Sequence, residues 1–244
     1  MVIEMELINS LENIEIGSKV NSNKFIFENK DIVEYDDIYN RIYGKSYIIN
    51  NDISLSNLTY IKMLHYDYDG NIIVGEMIIN KAIIDEVRRV FSKLFALKYQ
   101  IYSMRLIDDF WINNSQESDR NSVLHNNSSC FCYRSIINLT KLSNHALGLA
   151  IDINPFDNPY TPRKDDGSFD DSLLTDYEKD MLVDRETKAK TNPHIITLND
   201  DVCRTFGMVG YECGGIWPSR SDKLACDWQH FEPNKIKMKE IRNK

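Results

Sequence analysis

From Leu58 onward the hydrophobic pattern is regular enough to name elements. Two apolar runs, residues 60–66 and 72–79, flank Asp69-Gly70. Asp-Gly supplies the positive φ of a tight turn, so the run predicts a β-hairpin. Ile83, Ile84, Val87, Val90, Phe91, Leu94 and Phe95 then recur at helical spacing, with Asp85, Glu86, Arg88, Arg89 and Lys93 on the other face. They predict an amphipathic helix over residues 81–97. Residues 99–107 read as a strand and 113–129 as a polar loop. Residues 131–137 and 150–153 read as a second strand pair. The charged, weakly periodic stretch 155–193 reads as a surface excursion with one short helix. Asn199 is placed to cap a helix over 200–208 that stops near Gly210, and 228–232 reads as a last strand.

Before residue 58 the chain is polar and Asn-rich, with short apolar runs at Phe25-Ile26-Phe27 and Tyr47-Ile48-Ile49. Residues 1–57 are expected to be an extension that packs on a main body of residues 58–244. A hairpin, a helix and then more strands predict an α+β fold, not a βαβ alternation. The apolar share of 42% and the aromatic share of 11% support a globular core. A net charge of −8, without a basic stripe, gives nucleic acid no electrostatic reason to dock. No run approaches the length of a membrane span. The N-terminus is acidic where a signal peptide needs a basic start, so no export signal is expected in the chain as written. Five cysteines at irregular spacing do not form a disulfide framework. Cys130 and Cys132 lack a second pair at zinc-finger spacing and read as structural thiols.

Two segments carry candidate chemistry: Ser143-Asn144-His145-Ala146-Leu147-Gly148-Leu149-Ala150-Ile151-Asp152 and Asp227-Trp228-Gln229-His230-Phe231-Glu232. His145 and Asp152 are seven residues apart, so one unbroken strand would turn them to opposite faces. A break at Gly148 lets both converge. Near the C-terminus, His230 and Glu232 would face a site while Phe231 faces the core, with Asp227 in the turn just before. Two imidazoles and one carboxylate suffice for zinc and leave a position for water. Hydrolysis also needs a proton acceptor and donor, a role open to Asp227. It needs a cation for the developing oxyanion, and Arg134 is the candidate. His65, His125 and His194 read as structural.

The pattern Ser-x-His-x-x-Gly-x-Ala-x-Asp, followed downstream by carboxylate-x-x-His, resembles the zinc D-alanyl-D-alanine carboxypeptidase and dipeptidase family. Further likeness lies in residues 126–134, which end in Arg134, and in Asp152-Ile153-Asn154-Pro155 with Asn158-Pro159-Tyr160. Gly214-Gly215-Ile216-Trp217 adds to it, and a weaker echo lies at Gly44-Lys45-Ser46-Tyr47. The resemblance covers roughly residues 58–233. It implies a hedgehog/DD-peptidase-like fold, an antiparallel sheet with helices on one side and a metal site on its open face. It also implies one Zn2+ on His145, Asp152 and His230, Asp227 as acid/base, and Arg134 as the carbonyl clamp. Ser143 either touches substrate or caps the local backbone. The implied substrate is a peptidoglycan stem peptide or its precursor. The chain departs from vancomycin-resistance enzymes in having Asp227 for Glu, and from many relatives in having Cys213 for Trp.

Two other readings compete. One is a zinc-bearing binding module of the same fold, against which Asp227 and Arg134 both argue. The other is a non-haem iron site, which usually spaces its first His and carboxylate two apart. Which bond is cut and the oligomeric state stay open. Location also stays open: the cell envelope if a signal was removed, otherwise the cytoplasm or release by lysis.

Overall fold

The computed structural model describes residues 6–136, 140–164, 166, 168–217 and 225–243. In chain order the strands are β1 (Lys19–Val20), β2 (Phe27–Asp31), β3 (Leu58–Tyr66), β4 (Ile72–Asn80), β5 (Ser103–Met104), β6 (Asn127–Ser128), β7 (Ile151–Asp152), β8 (Tyr160–Pro162), β9 (Tyr211–Gly214) and β10 (Ala225–Pro233). The α-helices are α1 (Asp37–Ile42), α2 (Ile84–Ala96), α3 (Ser115–Leu124), α4 (Asp176–Leu182), α5 (Arg185–Lys188), α6 (Asp201–Gly207) and α7 (Lys235–Arg242). The helices and antiparallel sheets make an α+β protein; the short β5–β6 pair is parallel.

The hairpin β3–β4 is present as its pattern predicts. Its loop spans residues 67–71, with Gly70 at φ +78° and the Asp67 carboxylate accepting from Asn71 N at 2.7 Å. Residues 1–57 add both outer strands, giving an antiparallel order β1-β4-β3-β2. Successive residues of a strand face opposite sides, and both sides are covered. Ile61, Met63, Met77 and Ile79 pack with Val87, Val90, Phe91 and Leu94 of α2. Tyr60 and Ile78 pack with Ile38, Tyr39 and Ile42 of α1. That double burial explains a run of apolar residues without polar alternation. Arg41 of α1 forks onto the fully buried Glu76, which also accepts from Tyr60 Oη at 2.7 Å.

Helix α2 starts where Asn80 Oδ1 accepts from Ala82 N at 3.0 Å, through a 3-10 turn at Lys81–Ile83. Helix α6 is capped by Asp200, which accepts from Cys203 N at 2.8 Å, and not by Asn199. The core of α2 runs on through Val202 and Phe206 of α6 to Ile151, Ile153 and Phe231 of the second sheet. The two sheets thereby share one apolar core.

Three expectations fail. Residues 99–107 contribute only the two-residue β5. The segment 113–129 is not a loop: it holds α3, capped by Asn114, whose side chain accepts from Gln116 and Glu117 N at 3.0 Å each. Its buried residues are Ser118 and Ser122, so no apolar stripe betrays it. Residues 131–136 form no strand with β7, which pairs instead with β10; Ile137, the end of that expected strand, lies outside the described residues. The excursion 155–193 carries β8, α4 and α5. No described helix is long and apolar enough to cross a membrane.

Candidate metal centre

His145 sits in a 3-10 turn, Asn144–Leu147, which Ser143 caps by accepting from His145 N at 3.3 Å. Gly148 ends the turn at φ +64°, and a Cβ there would lie 2.8 Å from Asn80 N. Only glycine meets both demands. The chain thus leaves a turn, not a broken strand, before β7 delivers Asp152. On one side Asp152 lies opposite His230 in the β7–β10 register. On the other it exchanges backbone bonds with Ser129, at 2.9 and 3.1 Å.

Along β10, Asp227 and His230 are three apart and would face opposite ways in a regular strand. The β9–β10 pairing slips between Asp227 and Phe231, and Asp227 Oδ2 comes to 3.8 Å from His230 Nδ1. Asp227 therefore lies inside β10, not in a turn before it. Gly214 and Gly215 allow the close approach: a Cβ on Gly214 would meet Asp227 O at 2.4 Å, and one on Gly215 the Trp228 ring at 2.4 Å.

At the centre, His145 Nε2 lies 3.1 Å from His230 Nδ1 and 3.3 Å from Asp152 Oδ2. His230 Nδ1 is 3.2 Å from Asp152 Oδ1. The outward nitrogens have partners that set the tautomers. His145 Nδ1 donates to the Cys130 carbonyl at 2.6 Å, and His230 Nε2 donates to Glu232 Oε2 at 3.3 Å. Both inward nitrogens of the neutral rings therefore present lone pairs to each other and to a carboxylate. Three buried acceptors facing one point repel unless a cation or a proton joins them. Ligand bonds of about 2.0–2.1 Å in a tetrahedron give edges of about 3.3 Å, so the donor set fits a metal such as zinc. Carbonyl and carboxylate partners on the outer ring nitrogens are the usual support for metal-binding histidines.

The electrostatics agree. Burial would raise the Asp152 carboxyl, but His145 and His230 hold it well below the usual carboxylate range. Burial would lower His230, yet Asp152, Glu232 and Asp227 push it well above its ordinary value. Burial, reinforced by Asp152, lifts Asp227 well above the carboxylate range against the opposing pull of His230. Asp227 Oδ1 is buried without a hydrogen-bond partner among the described residues.

Arg134 stands beside this group. Its carbonyl accepts from Ser143 N at 3.1 Å, tying its segment to the His145 turn. Its guanidinium pairs with Asp119 of α3 at 2.8 Å and interacts electrostatically with Asp152 and Asp227. Ser143 occupies the cap. Among the described residues the metal-capable group is His145, Asp152 and His230, with no cysteine in it; Cys130 and Cys132 are buried free thiols. His65 is buried in β3, His125 ends α3, and His194 stacks on Tyr68.

Residues 138–233 match the family model described as D-alanyl-D-alanine carboxypeptidase. The match spans less than half of the chain but holds all three ligand candidates and Asp227. It bears out the resemblance to the zinc carboxypeptidase family and supports a metal-dependent peptidase of that kind. No curated protein and no solved structure matches the chain. Arg134 lies outside the matched segment, and its guanidinium interacts electrostatically with Asp152 and Asp227.

Sequence reasoning placed Glu232 toward the site without a task. Its strand position two residues from His230 was the available signal, and Asn144 Nδ2 fixes it further at 2.6 Å. Asp119 had no such signal, because α3 was not visible. Trp217 lies against His230 with ring centroids 5.1 Å apart, a contact that only the folded chain makes.

Proposed function

We propose that this chain is a zinc metallopeptidase that hydrolyses D-amino-acid-containing stem peptides of peptidoglycan or their precursors. The cut is of the D-Ala-D-Ala carboxypeptidase or the L-Ala-D-Glu endopeptidase type, on a hedgehog/DD-peptidase-like fold. The carrying observation is the convergence of two lone-pair nitrogens and one carboxylate at 3.1–3.3 Å, beside a buried Asp227 oxygen without a partner among the described residues. His145, Asp152 and His230 would hold one Zn2+. When bound there, zinc supplies Lewis acidity that makes water nucleophilic at neutral pH and polarises a carbonyl.

The chain's own residues do the rest. Asp227 takes a proton from water at a carboxylate oxygen and returns it to the leaving amine. Its burial favours a group that holds that proton between the two events. Arg134 donates to the carbonyl oxygen as negative charge builds there. Glu232 and the Cys130 carbonyl keep each imidazole in one tautomer. Ser143 shapes the turn that presents His145, and its hydroxyl is the candidate for a substrate contact.

The test is to load the protein with zinc, incubate it with a panel of defined muropeptides and identify the products by mass spectrometry. The parent should release D-Ala or split L-Ala-D-Glu. Asp227→Asn should keep one zinc per chain and lose about 10²-fold or more in turnover. A zinc-loaded parent that cuts nothing across the panel would leave the binding module standing instead.

A further inference from the structure

We propose that Asp119, on a helix outside the metal centre, is the positioning residue that aims Arg134 at the scissile carbonyl and keeps it off the site's carboxylates. The inference rests on the role given to Arg134 above. The Asp119–Arg134 pair is 2.8 Å long, with side chains only 15% and 10% exposed. Arg134 Nε is buried and has no partner among the described residues, so one donor of the fork is tethered while another stands unpaired. The guanidinium also lies within electrostatic reach of Asp152 and Asp227. A mobile cation there would settle on one of them: on Asp227 it would occupy the proton acceptor, and on Asp152 it would compete for a metal ligand. Asp119 offers the carboxylate that the fork actually holds, at 2.8 Å, and removing one partner of a buried pair leaves the other charge to find a new one.

The platform under Asp119 is firm. Ser118 Oγ accepts from Ile112 N at 2.9 Å, and Asn121 Nδ2 donates to Phe110 O at 2.9 Å. Asn127 Nδ2, from β6, donates to Ser122 Oγ at 3.0 Å. These bonds pin one face of α3 to the segments before and after it by polar contacts, where most helices use an apolar stripe. The carboxylate therefore has a defined position from which to hold a long side chain, the kind of support that sets a catalytic group to within fractions of an ångström.

A double-mutant cycle on the zinc-loaded protein tests this, with Asp119→Asn, Arg134→Ala and the pair, assayed on the muropeptide panel with zinc content and melting temperature measured alongside. Asp119→Asn should lose about 10- to 100-fold in kcat, as misplacing a catalytic group by about an ångström does, with little change in KM and with zinc retained. Asp119→Glu should recover most of that loss. The double variant should be no slower than Arg134→Ala alone, because a residue acting only through Arg134 has nothing left to position. Multiplying losses, or an Asn variant within twofold of the parent, overturns the proposal. Should Asp119→Asn not fold, Asp119→Ser replaces it. If the parent cuts no muropeptide, the peptidase reading has failed, and the same cycle is read on calorimetric binding of a muramyl pentapeptide. Non-additive weakening there upholds the tether; an unaffected Asn variant, or a parent that does not bind, overturns it.

Discussion

The hairpin sheet and the sheet that carries the candidate metal centre are made in different ways. Strands β3 and β4 pair without interruption from Leu58↔Asn80 to Tyr66↔Ile72, and most of their residues are buried. In the second sheet β7, β8 and β9 have two, three and four residues, and the pairing of β10 slips beside the site. Its surroundings bury polar groups: Asp152, Asn154, Asp157, Asn158, Asp227 and His230. Regular pairing sends alternate side chains to opposite faces, which suits a core with two covered faces. It cannot bring residues three or seven apart onto one point. The slip in β10 and the left-handed glycine after the His145 turn do that. The irregular sheet gathers chemistry, and the regular one supplies the shared apolar core it stands on.

If that division holds, damage to each sheet should read out differently. The largest effect should come from His145→Ala. Metal analysis should find the ion lost, with hydrolysis at background, while far-ultraviolet circular dichroism of the metal-free variant matches that of the metal-free parent. Full zinc content in this variant would break the ligand assignment. Next comes Arg134→Ala, expected to lower kcat by about 10²–10³, the usual cost of an oxyanion donor, and to change KM less. An effect confined to KM would instead place Arg134 on the ground-state carboxylate of the substrate.

Met77→Ala, in the fully packed face of β4, should do the reverse. It should lower unfolding free energy by about 2–5 kcal/mol, and kcat per folded molecule should stay within about twofold. Denaturant melts and active-site titration by bound metal separate the two quantities; a large fall in kcat would show that the hairpin tunes the site.

The smallest effect concerns the hairpin's own buried polar group. Burial holds His65 down at about 4 against an ordinary 6.5. Unfolded chains therefore take up a proton on this residue as pH falls through 6.5, while folded ones resist until about 4. Stability from this source is complete above 6.5, declines between 6.5 and 4, and is lost below; the total is roughly 3 kcal/mol. Urea melts of metal-free protein, parent against His65→Gln, should converge as the pH drops across that window. Parallel curves would mean that His65 does not titrate differently in the two states.

Much of this was legible in the sequence. Apolar runs around an Asp-Gly turn located the hairpin, a period-3.6 pattern located α2, and capping chemistry placed the start of α6 within a residue. Side-chain chemistry at fixed spacing, read through a family resemblance, named His145, Asp152 and His230, and the folded chain brings those three together. Other features arose only on folding. Helix α3 buries serines, so its pattern is silent, and with it went Asp119. The outer strands β1 and β2 are recognised by pairing with β4 and β3, partners tens of residues away. Which nitrogen of each imidazole turns inward depends on a carbonyl at Cys130 and a carboxylate at Glu232, placed by different elements. Local pattern records burial and turn chemistry, which each segment carries in itself. Register slips, tautomers and buried ion pairs are properties of two segments meeting, and only the tertiary structure decides which segments meet.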